Sequence, residues 1–337
     1  MKNTVKAIST LQLDRLCQQP YSAASYSPLA GHLLFLLDLS TIDSTLPAYQ
    51  HGPLSKILPH IPCPVIAIAP AGAHKAITDS VDVVVSSHKE AQGLLDNILQ
   101  CPLTAMTLVQ LLRHNEKSGT QDGLLAESLA YATLQAGKEF KNYLAARAEP
   151  PQPPKNPEPP VLVQREEDTL VLTINRPQQY NAYSTEVRDA LFEGLMLQAE
   201  DDSIRKTIIR SNGPCFCTGG ALHEFGQVDD VAMAHAIRST RNVGRLIAAL
   251  SDKVECQLHR ACIGSGIELP AFASHIIAAP NTFFQLPEIT MGLIPGAGGT
   301  VSILKRIGRQ RMSYWALSAK KIKAATALEW GLIDIIE

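Results

Sequence analysis

The segment GSGIELPAFASHIIAAPNTFFQLPEITMGLIPGAGGT, residues 264–300, carries two glutamates, Glu268 and Glu288, twenty positions apart in a largely apolar, glycine-rich run. An ionised carboxylate is expensive to bury unless something pairs with it. Each glutamate is therefore either a structural acid with a hidden partner or a group that works on a ligand. Glu268 follows a small-residue turn, Gly264-Ser265-Gly266, that runs into a helical stretch. A helix start presents unpaired N–H groups at the positive end of the helix dipole. Glu288 follows Pro287 and precedes glycines 292, 296, 298 and 299. This last run lacks the lysine-containing pattern of a phosphate-binding loop, so PGAGGT is not an ATP site.

A second glycine turn lies upstream. FCTGGAL (216–222) places Gly219 and Gly220 at the end of a predicted strand. Glycine permits close backbone approach to a ligand. Two N–H groups that converge on one point, one from each turn, would make an oxyanion hole.

The 337 residues correspond to roughly two domains by length. At 45% apolar and 18% charged, the chain supports a sizeable core. A net charge of −2 argues against a dedicated nucleic-acid binder. No uncharged apolar run is long enough to predict a transmembrane helix, and the opening MKNTVKAISTLQLDRLCQQP lacks the apolar block of a secretory signal. Seven cysteines without CxxC spacing read as reduced thiols of a cytoplasmic protein, and the Cys215–Cys217 pair has no companion metal ligands.

The chain divides at EPPQPPKNPEPP (149–160), whose prolines favour an extended spacer of ~3.1 Å per residue, roughly 35 Å in all. Beyond it, TLVLTIN (169–175) and KTIIRS (206–211) read as strands, and Ser184 caps a helix between them. KVECQLH and HIIAA read as further strands, with the Glu268 region helical between them. The alternation predicts an α/β fold. Before the linker, residues 31–40, 64–70 and 81–87 read as buried strands, and 88–146 as helical. There Leu125, Leu129, Ala132, Ala136, Phe140 and Tyr143 recur at three and four, which predicts one long helix with a single apolar stripe.

Together these segments resemble the crotonase (enoyl-CoA hydratase/isomerase) superfamily over about residues 161–337. NRPQQYNAYS (175–184), FCTGGALHEF, the 264–300 block and ALSAKKIKAATALEWGLID (316–334) carry the likeness. The resemblance implies a spiral of ββα repeats, here with an added N-terminal strand and helix region, and a coenzyme A thioester as substrate with no further cofactor and no metal. It implies oxyanion N–H groups at Gly220 and Ser265, each worth about 3–4 kcal/mol to a transition state, and catalytic acids at Glu268 and Glu288. Contacts to substrate or CoA would fall at Arg176, Ala182, Thr218, Leu222, Gly264 and Gly296. Lys305, Arg306, Arg309 and Arg311 form the densest basic run, which serves either CoA phosphates or solvent; Lys141 and Arg147 are further candidates. Both acids together favour hydration of a trans-2-enoyl thioester in fatty-acid metabolism. The alternatives are another crotonase reaction, isomerisation or hydrolysis, or a non-catalytic binding protein. Relatives form trimers and dimers of trimers, so a homo-oligomer is expected.

The pattern departs from the family at Arg260, where glycine is usual, and at Ala221 and Ser265. The chain stops at GLIDIIE, where the family continues into terminal helices, while 81–150 itself resembles that terminal region. The expected organisation is a lead-in (1–80), helices corresponding to the family's carboxyl-terminal ones (81–148), a proline linker (149–160) and a catalytic core (161–337). This amounts to a circular permutation.

Overall fold

The computed structural model describes residues 6–40, 48–150, 152–153 and 156–337. The first element is α1 (Thr10–Gln18), closed at its start by a capping box between Ser9 and Gln12. Three apolar strands, β1 (Phe35–Asp38), β2 (Val65–Ile68) and β3 (Val83–Val85), pair in parallel in the order β1-β2-β3. Helix α2 (Ala48–Ile57) precedes the second strand, and the one-turn α3 (Lys75–Thr78) precedes the third. One face of this small sheet closes a core of its own with Leu13, Leu16, Leu54 and Leu58; the other, through Leu36, Ile66 and Ile68, joins the main core.

Four helices follow: α4 (His88–Gln100), α5 (Pro102–Asn115), α6 (Thr120–Gln135) and α7 (Lys138–Ala146). The single long helix expected over 123–145 is two, because the chain turns at Gly137, whose N–H bonds the Leu134 carbonyl. The stripe also runs on another face. Leu124, Glu127, Ser128, Tyr131 and Leu134 are buried, whereas Leu125 and Leu129 are half exposed. A pattern of apolar residues could not locate this face, because two of its members are polar.

The described part of the linker forms neither helix nor strand; residues 151, 154 and 155 lie outside the described set. The second half then winds through β4 (Val161–Glu166), β5 (Thr169–Ile174), α8 (Thr185–Glu200), β6 (Lys206–Ser211), α9 (Val231–Ser239), α10 (Val243–Ala249), β7 (Val254–Leu258), β8 (Ala261–Ile263), α11 (Ser265–Glu268), β9 (His275–Ala278), β10 (Phe283–Gln285), α12 (Gly299–Ile307), α13 (Arg309–Ser318), β11 (Ile322–Lys323), α14 (Ala324–Trp330) and β12 (Ile335–Ile336). A six-stranded sheet runs β12-β9-β7-β6-β5-β4, parallel except for the β4–β5 hairpin, and a three-stranded one runs β11-β10-β8. Two successive pairs, β7 with β8 and β9 with β10, each place one strand in the large sheet and the next in the small one. The N-terminal unit retraces part of this path. In both halves three adjacent parallel strands (β1-β2-β3 and β6-β7-β9) have a helix before the second strand and a one-turn helix before the third.

The halves share one core. Leu94, Leu108, Leu112 and Phe140 belong to the same apolar cluster as Leu172, Ile276 and Trp315. A buried carboxylate, Asp82, also ties them. It accepts from the Val65 amide (2.9 Å), from Arg113 Nε (2.8 Å) and from Arg309 of α13 (3.2 Å). Removing one partner of a buried ionic cluster leaves the others uncompensated. Asp82→Ala is therefore expected to lower stability by roughly 3–5 kcal/mol in urea unfolding, while Asp79→Ala, at an exposed residue that pairs with Lys75, costs about 0–1 kcal/mol.

Candidate active site

The two glycine turns and the two glutamates meet around one cavity of about 340 Å3, whose walls include Gly220, Ser265, Glu268, Glu288 and Gly296. Each turn is held in place by the sheets. Tyr183 and Gly220 bridge in parallel, as do Cys217 and Cys262, which brings the 217–220 loop beside the end of β8. Gly264 then turns with φ 50° and ψ −120°, a conformation that favours glycine, and starts α11. Among the described residues the N–H groups of Gly220 and Ser265 donate to no protein acceptor. The Ser265 hydroxyl turns away, toward Cys217 Sγ at 3.8 Å. Arg260, at the position where glycine was noted as usual, adopts φ 56°, so a left-handed backbone is needed there whatever the side chain.

Gly264 also sets the spacing of the acids. A β-carbon on it would lie 2.6 Å from Glu288 Oε1 and 3.7 Å from Glu268 Oε1. The carboxylates therefore flank one glycine, and only hydrogen fits between them. Their environments differ. Glu268 Oε2 accepts from the amides of Ala297 (2.8 Å) and Gly299 (2.9 Å). Glu288 Oε2 is buried with no partner among the described residues. Burial pushes Glu268 up to about 7 against the pull of those two amides and of Arg238. Burial, then the charge of Glu268, pushes Glu288 well above the usual carboxylate range. One acid is thus poised near neutrality and the other kept protonated, which is the arrangement by which a site supplies both a base and an acid.

A third acid escaped the sequence reading. Glu127, on α6, is 3% exposed, and its carboxylate accepts from the amides of Gly298 (2.7 Å) and Thr300 (3.0 Å) and from Thr300 Oγ1 (2.6 Å). Four consecutive amides, 297 to 300, at the start of α12 are therefore shared alternately by Glu268 and Glu127. Burial and the charge of Glu268 push Glu127 up to about 8, against those three hydrogen bonds. Tyr131 and Gln135, two further α6 residues missed from sequence, line the cavity, as do Arg188, Arg238 and Arg241. The available signal was GLLAES, in which a glutamate and a serine sit within an otherwise apolar face.

The other sequence candidates stand elsewhere. Arg176 is buried, and its guanidinium pairs with Glu186 (2.6 Å). Ala182 and Leu222 flank lining residues in the chain without lining the cavity, Thr218 lies two positions before Gly220 outside its wall, and Gly264 lies buried beside the acids. The basic run is spent on structure: Lys305 bonds Thr120, Arg306 the carbonyls of Ala271 and Ala273 and the Asp334 carboxylate, Arg309 Asp82 and Glu116, and Arg311 the Trp330 carbonyl. Arg147 donates to the carbonyls of Leu222 and Phe225, closing α7 over the loop behind Gly220. Among the described residues no cluster of three His, Cys, Asp or Glu side chains is placed to hold a metal, and no helix is long and apolar enough to cross a membrane.

Residues 164–337 match the model of a family described as enoyl-CoA hydratase/isomerase. The chain belongs to that family. It is 32% identical over 175 residues to the 2,3-dehydroadipyl-CoA hydratase of Escherichia coli, covering 52% of this chain and 68% of that one. It is 31% identical over 178 residues to the 1,2-epoxyphenylacetyl-CoA isomerase of the same organism, covering 51% and 68%. A solved structure of enoyl-CoA hydratase from Thermoplasma volcanium GSS1 superposes with a TM-score of 0.50 at 29% identity, over 53% of this chain and 72% of that one. The family acts on CoA thioesters, and its fold is the α/β spiral expected from the sequence, here with the N-terminal strand and helix region added.

Because Glu127 and Glu268 hold protons in the native state that the unfolded chain releases near its ordinary value of 4.5, stability should fall as pH rises from about 5 to about 8. Glu127→Gln removes one of these groups. The decline of the urea midpoint over that range should be shallower in the variant than in the parent protein; an equal or steeper decline would refute the assignment.

Proposed function

We propose that the protein adds water across the double bond of a trans-2-enoyl-CoA thioester. The observation that carries this reading is the unequal pair of buried carboxylates on either side of Gly264, in the same cavity as two unpaired N–H groups. The thioester oxygen accepts from the Gly220 and Ser265 amides, whose hydrogen bonds strengthen as charge moves onto that oxygen. Glu268 takes a proton from a water molecule while the water oxygen bonds to Cβ. The π electrons of the Cα–Cβ bond shift toward the carbonyl, and Glu288 gives its proton to Cα. The product is the 3-hydroxyacyl thioester, with Glu268 protonated and Glu288 ionised; one proton passing from the first to the second through the next water resets the site. The mutual repulsion of two adjacent carboxylates favours a state in which one proton is always held between them.

A second reading, double-bond isomerisation, has support in the isomerase among the similar sequences. It uses the same oxyanion hole but needs only one acid to carry a proton between carbons. Loss of crotonyl-CoA's ultraviolet absorbance reports hydration directly. Glu268→Gln and Glu288→Gln should each lower that rate by about 10²–10⁴-fold. If either variant keeps the parent rate, two-acid hydration fails.

Helices α4–α7 take the role of the family's terminal helices in this proposal. Support comes from the packing of α6 on α9 and α12, from Tyr131 and Gln135 in the cavity wall, and from the Glu127 bonds to the start of α12. A fragment starting at residue 161 should be insoluble or inactive, and residues 78–150 supplied as a separate chain should restore it. A fully active, monodisperse 161–337 fragment would rule this organisation out.

A further inference from the structure

Three arginines line the cavity, but they are not equivalent. Arg188 pairs with Asp189 at 2.8 Å, and Arg241 pairs with Glu193 and approaches Asp189. Arg238 has no carboxylate within ion-pair distance among the described residues. It hydrogen-bonds Gln135 Oε1, at a long 3.3 Å, and the Tyr131 side chain. Its Nε is buried without a partner. Its guanidinium carbon lies over the Tyr131 ring, 3.7 Å from the centroid, and that ring fills the space above Gly296. A stack of this kind orients a guanidinium and leaves its edge donors free. Partly buried cations are normally paired, so an unpaired one facing a cavity marks a place for an anion.

The position of Arg238 relative to the reacting atoms indicates which anion. Gly296 precedes Ala297, whose amide holds Glu268, so the Tyr131–Arg238 pair stands beside Glu268, whose charge it also feels. A thioester carbonyl carries sulfur on one side and Cα on the other. With Cα and Cβ between Glu268 and Glu288, the chain beyond Cβ continues past the acids, while the pantetheine arm and the phosphates leave the opposite way. We infer that Arg238, fixed by Tyr131 and Gln135, binds a carboxylate at the far end of the acyl group, so that the substrate class is a 2-enoyl-CoA derived from a dicarboxylic acid. This rests on the reading of the cavity as a CoA-thioester site and specifies which thioester. Arg238 is a specificity residue and takes no part in proton transfer.

The test compares two six-carbon trans-2-enoyl-CoA substrates, one ending in a carboxylate and one in a methyl group. The parent protein should favour the carboxylate in kcat/KM by roughly tenfold or more, as a charge-assisted pair to a buried guanidinium implies. In Arg238→Met the preference should collapse toward unity, and in Arg238→Lys it should partly return. Equal use of both substrates by the parent protein overturns the inference and leaves hydration standing. So does an Arg238→Met variant that slows both equally, since Arg238 would then serve the charge of Glu268. If neither substrate turns over, calorimetric binding of the saturated pair, adipyl-CoA and hexanoyl-CoA, to the parent protein decides. Tighter adipyl-CoA binding supports the carboxylate site although the hydratase reading has failed, and equal binding overturns it. Free coenzyme A is the control: if Arg238→Met weakens CoA itself, the guanidinium holds a phosphate and the inference fails.

Discussion

Four successive amides at the start of α12 serve two buried carboxylates, with Glu268 taking those of residues 297 and 299 and Glu127 those of 298 and 300. The first turn of any helix leaves four N–H groups that need partners. Here the partners come from opposite ends of the chain. Glu127 closes the helix start and Glu268 is held at the cavity by the same turn, so the site exists only while α6 stays docked. Gly298, with φ 105°, gives the turn a shape that side chains rarely adopt, and a β-carbon there would meet the Phe272 ring. Interleaving of this kind also explains why three acids can be buried close together. Each keeps a different balance between desolvation and hydrogen bonding, and Glu288, whose Oε2 has no partner among the described residues, is pushed well above the usual carboxylate range.

Charge is distributed by the same logic elsewhere. The arginines of α12 and α13 serve Asp82, Glu116, Asp334 and backbone carbonyls, and of them Arg309 joins the two halves. Cations inside the cavity come from α8, α9 and the turn after α9, and of these Arg188 and Arg241 already have acidic neighbours. The N-terminal region contributes scaffolding through its small sheet and part of the cavity wall through α6. Its retracing of the β6–β9 path suits that division, since a shortened copy of the strand framework provides a surface on which α4 and α5 pack.

The acids, the glycine turns and four of the strands of the second half (β5, β6, β7 and β9) were legible because each depends on local chemistry. A glutamate in an apolar run, a glycine after a strand and a run of β-branched residues carry their meaning within a few positions. The 264–300 segment therefore identified the family and both acids without coordinates. The phase of α6 was not legible, because its buried face includes Glu127 and Ser128, whose partners Gly298, Thr300 and His235 lie more than a hundred residues away. The basic run failed for the same reason, since nothing local distinguishes an arginine that meets a phosphate from one that meets Asp82. The amino-acid sequence by itself determined the family and fold class of the second half and singled out Glu268 and Glu288. Only the tertiary structure decided that the first half completes the cavity, which acid keeps its proton and which arginine lacks a counter-ion. Burial and charge pairing are properties of neighbours in space, and here those neighbours are supplied by distant parts of the chain.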